Sequence, residues 1–357
     1  MATREATWTY RDRFSDDFAR TYFRAFSDCV VSSIGVGTYL GDPTDATDEA
    51  YHDAVVEAVE SGINVVDTAI NYRCQRSERT VGRALAEADV DREAVLVATK
   101  GGFVPFDGGP QAHPGRYVRE EYVDAGIVEP DELVRGQHCI APEFVDDQLD
   151  RSLSNLGLET IDLYYVHNPE TQLEAHSREA VYDTLEATFT RLEERAAAGD
   201  IRHYGVATWD ALRTPTDHGQ YLALSEIIER ARAASDAAGT TATHLRAIQL
   251  PFNVYMVESH GSAEGAKSAL WFASDADLDV FTSASIMQGR LADEMPGEVE
   301  AKLDGETRAQ RAINFARSGP GVTCSLVGMS SEGHVAENVA AGTHEPLGAS
   351  AFDAVFE

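Results

Sequence analysis

The amino-acid sequence predicts an α/β protein of the (β/α)8, or TIM-barrel, class. Three observations carry that prediction: short apolar runs without polar alternation, amphipathic stretches between them, and a spacing of roughly 30 to 45 residues from one run to the next. Unalternated apolar runs suit strands covered on both faces, which is the condition of a parallel sheet. Eight such runs are present, the number that closes a barrel.

In chain order the runs are SIGVGTYL from Ser33, NVVDTA from Asn64, AVLVATK from Ala94 and IDLYYVH from Ile161, then IRHYGVAT from Ile201, AIQLPFN from Ala247, DVFTSAS from Asp279 and TCSLVGM from Thr323. After the first run, Tyr51, Ala54, Val55, Ala58 and Val59 recur at helical spacing, with Thr47 or Asp48 as the expected N-cap and Gly62 just past the end. After the fourth, Val181, Leu185, Phe189 and Leu192 form a similar stripe that Gly199 ends. The acidic pairs Glu193 with Glu194 and Asp146 with Asp147 read as solvated outer faces. The whole chain, 1–357, reads as a single barrel domain in which residues 1–30 form an N-terminal extension. One interval breaks the rhythm. Residues 101–140, opening GGFVPFDGGPQAHPGRYVREEYV, are rich in Gly and Pro yet carry Phe103, Phe106, Tyr117 and Tyr122, and a segment this long is expected to be functional. Because it follows the third strand, it is expected over the catalytic face as a lid; surface decoration or a subunit contact is the alternative.

Composition narrows the function. With 60 Asp+Glu against 29 Lys+Arg, the formal net charge is -31, which argues against nucleic-acid and anionic-membrane partners. A hydrophobic fraction of 43% with 25% charged residues describes a folded core under an acidic exterior. Lys100, Lys267 and Lys302 are the only lysines. Acid excess with lysine avoidance suits a very salty solvent, where at about 1 M the screening length is about 3 Å and self-repulsion is suppressed. Cys29, Cys74, Cys139 and Cys324 lack close pairing, so free thiols in a reducing cytoplasm are expected. The polar N-terminus and the lack of a run of about 18 apolar residues predict a soluble, unexported, cytoplasmic protein.

In such a barrel the chemistry sits at the C-terminal ends of the strands. The second run ends in Asp67, followed after a short turn by Tyr72; the third ends in Lys100 and the fourth in His167. Neighbouring parallel strands lie about 4.8 Å apart, so these groups come within reach of one another. A charge at the end of a buried strand is costly unless paired or functional. An ammonium near a phenol stabilises phenolate and is expected to lower the tyrosine pKa, with Asp67 holding and balancing Lys100. Tyr72 would give a proton to a carbonyl oxygen that His167 orients. No side chain supplies hydride, so a nicotinamide or flavin is required.

With these residues in view, the chain resembles the aldo-keto reductases, a (β/α)8 family of nicotinamide-dependent carbonyl reductases. The resemblance runs from about Val31 to Ala341, through VVDTAINYRCQRSERTVGRAL, ATKGG at Lys100, LSNLGLETIDLYYVHNP, Gln249 and VAENVAA. It implies Tyr72 as proton donor, Lys100 and Asp67 as the partners that set its pKa, and His167 as the carbonyl-orienting residue. It implies NADP or NAD as cofactor, a small-molecule carbonyl as substrate, and cofactor contacts from Thr208, Gln249, Ser283, Gly328, Ser330, His334, Glu337 and Asn338. Several positions depart from the family. Ala207 and Thr208 stand where a Ser and Asn usually hold the carboxamide, leaving Thr208 and Gln249 for that task. Ser283–Ala284–Ser285–Ile286 lacks the ring that nicotinamide stacks on, so Phe281, Trp209 or an aromatic of 101–140 would have to fill in. Ser330 and His334 replace the basic residues that grip a 2′-phosphate, and a charge-based clamp is the physical basis of NADP preference. Arg73 follows Tyr72 where glycine is usual, placing there either a cation beside the site or a surface arginine paired with an acid. A nicotinamide-binding regulatory or redox-sensing subunit of the same fold is the alternative function. A metal-dependent hydrolase using His138 and Cys139 is a third.

Overall fold

The computed structural model describes residues 1–261 and 268–356, so Lys267 lies outside the described residues. Two short antiparallel strands, β1 (Phe23–Phe26) and β2 (Cys29–Ser32), precede the sheet. Eight parallel strands then follow: β3 (Ile34–Gly37), β4 (Val65–Asp67), β5 (Leu96–Gly101), β6 (Ile161–His167), β7 (Ile201–Ala207), β8 (Leu245–Pro251), β9 (Asp279–Ser283) and β10 (Val322–Gly328). They pair in chain order and close when β10 pairs with β3. All eight apolar runs become barrel strands, buried on both faces, as continuous apolar character requires.

The helices close the outer ring. The stripe at Tyr51 lies on the helix Asp45–Glu60, but its N-cap is Thr44, whose hydroxyl accepts from the Thr47 amide, so the helix starts a turn earlier than Thr47 or Asp48 would have it. The helix Arg178–Ala198 starts at the Ser177 cap and ends at Gly199, which adopts φ 92°. Its Glu193 is not on a solvated face. It is fully buried, accepting from the Tyr204 hydroxyl at 2.9 Å and from the Thr243 hydroxyl and His244 amide, because it stands one turn beyond Phe189 on the inward stripe. Asp146 and Asp147 are partly exposed and ion-paired with Arg195 and Arg151. Arginines commonly serve several acids at once: Arg230 reaches Glu179, Asp183, Glu186 and Glu226 at 2.7 to 3.0 Å, and Arg195 reaches Asp146, Asp150 and Asp200.

Residues 1–30 contribute a helix, Arg4–Phe14, and most of the β1–β2 hairpin. Phe26 and Val31 of that hairpin pack with Val65 and Leu96, the first residues of β4 and β5, so the hairpin seals the N-terminal end of the barrel. The Phe26 ring meets those of His203 and Phe281 edge-on, each at 5.7 Å. Buried Asn64 ties the hairpin to the barrel, accepting from the Ser32 amide and donating to the carbonyls of Val30 and Ala94. Among the described residues no helix is long and apolar enough to cross a membrane.

With the floor sealed, the C-terminal face is left for chemistry. Truncating the plug tests that division of labour: Phe26→Ala should lower stability by about 3–5 kcal/mol in denaturant unfolding, whereas a loss under about 1 kcal/mol would show that the hairpin does not carry the barrel floor.

Candidate active site

Strand register assembles the site. Asp67 ends β4 opposite Ala98, two residues before Lys100 on β5; Lys100 in turn lies opposite Tyr165, two residues before His167 on β6. The Lys100 side chain is fully buried, its Nζ 2.5 Å from Asp67 Oδ1 and 2.8 Å from the Thr68 carbonyl. The other carboxylate oxygen, Asp67 Oδ2, accepts from Gln249 Nε2 at 2.8 Å. Burial pushes the Asp67 carboxyl up and the Lys100 ammonium down, and each is drawn back by the opposite charge of the other. Fully buried Glu78, bonded to the Thr99 hydroxyl and Asn155, adds negative potential that favours the ammonium.

Two glycines let β5 leave the barrel here. Gly102 has φ 146°, and a Cβ on it would stand 2.7 Å from the His167 carbonyl oxygen, so only glycine lets this backbone run against the end of β6. His167 is then held from two sides. Its carbonyl accepts from His138 Nε2 at 2.8 Å, and its ring lies edge-on to Phe103 at 5.1 Å. His138 Nδ1 accepts from Gln172 Nε2 at 2.8 Å, which assigns a neutral ring whose proton is on Nε2. Both nitrogens are engaged, so His138 has no lone pair for a metal, and among the described residues no three metal-ligating side chains cluster.

Tyr72 stands over this pair. The Lys100 ammonium lies 5.0 Å from the centre of its ring, His167 meets the ring at 6.1 Å, and Tyr39 packs against it at 5.0 Å. Proximity to Lys100 was expected to lower the phenol pKa. Instead it is raised well above that of an ordinary tyrosine, by burial first and then by the charges of Asp67 and Tyr39. The ammonium is spent on Asp67 and the Thr68 carbonyl, beneath the ring face. The His167 imidazole is held far below its usual pKa by burial, with Lys100 and His138 adding to the effect. Phenol and imidazole are therefore both neutral, the states needed to give a proton and to donate a hydrogen bond.

After Tyr72 the backbone enters an unusual turn: Arg73, Cys74 and Gln75 take φ 45°, 58° and 68° in succession. Non-glycine residues in this region cost about 1–3 kcal/mol each and persist only where the surroundings over-determine them. Arg73 is buried and paired with Asp48, donating to the Thr38 carbonyl at 3.0 Å. It is neither a surface arginine nor part of the cleft wall.

A cleft of about 320 Å³ opens beside Tyr72 and Asp67 and runs to the start of the helix Glu332–Ala341. Gln249, Ser283, Gly328, Ser330, His334, Glu337 and Asn338 line it; Thr208 does not. Thr208 is buried, with its hydroxyl 3.4 Å from the Gln249 carbonyl, and Gln249 is committed to Asp67 through its amide nitrogen. None of the proposed stacking rings reaches the wall. Phe281 faces the barrel interior against Phe26 and Tyr165, and Trp209 is outside the wall. Aromatics of 101–140 gather in a separate core of Val104, Val118, Tyr122, Val128, Cys139, Ala141 and Phe144, with Phe106 and Tyr117 against it. That segment supplies no residue to the cleft wall, and it meets the site where Phe103 and His138 brace His167. Besides the His334 imidazole, the rings in the wall are those of Tyr39, Tyr51 and Tyr72, and among its described residues there is no Lys or Arg. The sequence pattern does not single out Tyr39, Tyr51 and Glu78 as site residues, although Tyr39 is next to last in the first apolar run, Tyr51 opens the helical stripe after it and Glu78 lies inside the motif around Tyr72.

The fold and this site define the chain's class. It belongs to the aldo/keto reductase family, whose sequence model matches residues 33–218. An NADH-specific methylglyoxal reductase of Escherichia coli is 30% identical over 207 residues, covering 56% of this chain and 54% of that protein. The aldo-keto reductase YhdN of Bacillus subtilis is 26% identical over 270 residues, 75% of this chain and 62% of that one. The chain thus spans about half to three-fifths of these relatives. Among solved structures, the holo form of an aldo-keto reductase from Bacillus halodurans superposes with a TM-score of 0.66 at 20% identity, covering 94% and 95% of the two chains. A Klebsiella pneumoniae aldo/keto reductase in complex with NADP and acetate gives 0.60 at 18%, covering 92% and 91%.

The imidazoles offer a direct check of the electrostatics. Nitrogen NMR should find His138 neutral until about pH 4, and His167 titrating well below an ordinary imidazole. The unfolded chain protonates these rings near about pH 6.5, so between those limits it holds more protons than the folded chain. Stability should therefore rise with pH across that window, by about 1.4 kcal/mol per unit for His138. A His167 that titrates near pH 6.5 would contradict its burial against Lys100.

Proposed function

We propose that the chain reduces an aldehyde or ketone to an alcohol with NADH or NADPH, Tyr72 giving the proton. The observation that supports this most is the convergence of Tyr72, His167 and the Asp67–Lys100 pair, of which Tyr72 and Asp67 line one end of a cleft, with His167 and Lys100 behind them, and Ser330, His334, Glu337 and Asn338 line its other end. The donors and acceptors along the cleft suit a dinucleotide: Ser283 and Gln249 near the reacting end, and Asn338 with the first turn of Glu332–Ala341 at the far end. A bound nicotinamide would supply hydride to the carbonyl carbon.

The chain's own residues do the rest. His167 donates a hydrogen bond that fixes and polarises the substrate oxygen. Tyr72 then passes its hydroxyl proton to that oxygen as charge develops there, and the Lys100 ammonium beneath the ring stabilises the phenolate left behind. Asp67 keeps Lys100 in place and charged. In the reverse direction the same phenolate takes the proton from an alcohol. Replacing Tyr72 by Phe should cut carbonyl-dependent cofactor oxidation by about 10²–10⁴ in molar KCl, with nicotinamide binding retained by fluorescence; undiminished turnover would remove Tyr72 from the reaction. A nicotinamide-binding regulatory subunit is favoured by the engagement of Gln249 with Asp67, the retreat of Thr208 from the wall and the distance of the candidate stacking rings from it. That reading requires binding without turnover on a panel of aldehydes and ketones.

The absence of Lys and Arg from the described wall bears on cofactor choice. A 2′-phosphate there finds no guanidinium fork, so NADH should bind about ten-fold more tightly than NADPH. The chain's net charge of -31 also repels an anionic cofactor at long range, and salt screens that repulsion. Binding of either form should therefore tighten as KCl rises from about 0.1 M to about 2 M, the opposite of a basic clamp. Weakening with salt in calorimetric titrations would place a cation at the site.

A further inference from the structure

We propose that Arg73 is a positioning residue for this reaction, holding the two backbone segments between which the Tyr72 ring is set. The inference rests on the reading of Tyr72 as proton donor, and it starts from the left-handed turn Arg73–Cys74–Gln75 directly after that residue.

Three successive non-glycine residues in this conformation do not hold themselves there. Each is tied down from a different side. The Arg73 guanidinium donates to the Thr38 carbonyl at 3.0 Å, faces Asp48 Oδ1 at 3.4 Å and stacks 4.3 Å over the Tyr51 ring. The Cys74 carbonyl accepts from the Gly108 amide at 3.0 Å, and Gln75 donates to the carbonyls of Pro105 and Phe106 while accepting from Asn155. The turn thus joins the loop after β3 to the long segment after β5, with Tyr72 at its entrance.

The Arg73 contact is the one that bears on Tyr72. Thr38, whose carbonyl Arg73 grips, also bonds the Asp67 carbonyl through its own amide and hydroxyl, at 3.2 and 3.1 Å. The next residue is Tyr39, whose ring packs against the ring of Tyr72 at 5.0 Å. One guanidinium therefore fixes the backbone on which Tyr72 sits and the loop carrying the ring that flanks it. A planar fork over an aromatic face can hold carbonyl, carboxylate and ring together, and an ammonium cannot.

The test uses Arg73→Gly and Arg73→Lys in the full chain. Glycine accepts φ 45° without strain, so Arg73→Gly removes the clamp and imposes no backbone penalty. Misplacing a reacting group by about 1 Å can cost about 100-fold. We expect kcat to fall about 10- to 100-fold in Arg73→Gly and less in Arg73→Lys, with KM and the NADH dissociation constant within about two-fold of wild type. A lower thermal midpoint with unchanged kcat at 25 °C would make Arg73 merely structural and overturn the inference, as would equal kcat in Arg73→Lys and Arg73→Gly. If Arg73→Gly does not fold, Arg73→Lys decides by the same split between kcat and KM. A wild-type chain that binds NADH but turns over no carbonyl overturns the proposed function itself.

Discussion

Much of the architecture follows from one buried ion pair, Lys100 with Asp67. Removing an ammonium and a carboxylate from water costs several kcal/mol per ion, and only close contact with full hydrogen bonding recovers it. The structure meets that demand locally. The Thr68 carbonyl takes a second ammonium proton, Gln249 crosses from β8 to cover the free carboxylate oxygen, and Glu78 deepens the negative potential around the lysine. Asp67 and Thr68 come from the end of β4, Lys100 from β5, Gln249 from β8 and Glu78 from the helix between β4 and β5, so the pair requires a closed barrel in this register. The same demand explains why Gln249 is turned toward Asp67, and why Lys100 lies under the Tyr72 ring face with two of its three protons already committed.

Tyr72 follows from that arrangement. A lysine free to approach the phenol would lower its pKa; a lysine satisfied by Asp67 leaves burial to dominate. The result is a tyrosine that keeps its proton at neutral pH, with a cation 5.0 Å from its ring centre, where the proposed proton transfer would need it. His167 obeys similar logic: charged Lys100 nearby and a dry pocket keep it neutral and able to donate.

The barrel strands were legible in the sequence because burial on both faces leaves an unmistakable mark, and the strand-end residues were legible because charge at the end of such a run is physically costly. What escaped was set by tertiary packing. Glu193 sits in an acidic run and looked solvated, yet helical phase turns it inward, where Tyr204, Thr243 and His244 satisfy it. The β1–β2 hairpin is too short to announce itself, and its role depends on where the barrel opens. Of the residues that the family resemblance implies as cofactor contacts, Gln249, Ser283, Gly328, Ser330, His334, Glu337 and Asn338 line the cleft. Thr208 and the candidate stacking rings do not, since the direction of a side chain at a strand end depends on neighbours that a linear pattern does not contain. The segment 101–140 was legible as unusual, but not as a module with its own small core that props His167 from the side.

The shared arginines have a consequence for how this chain tolerates change. Where acids outnumber bases about two to one, an arginine such as Arg230 is the common partner of four carboxylates drawn from two helices. Losing one of those acids leaves three partners in place, whereas losing the arginine leaves four like charges facing one another. Among the surface ion pairs, mutational fragility is therefore concentrated in a handful of cationic hubs, and the exposed acids that share a hub are individually expendable. A lineage under this regime can let its surface acids drift freely while its few bridging arginines stay pinned.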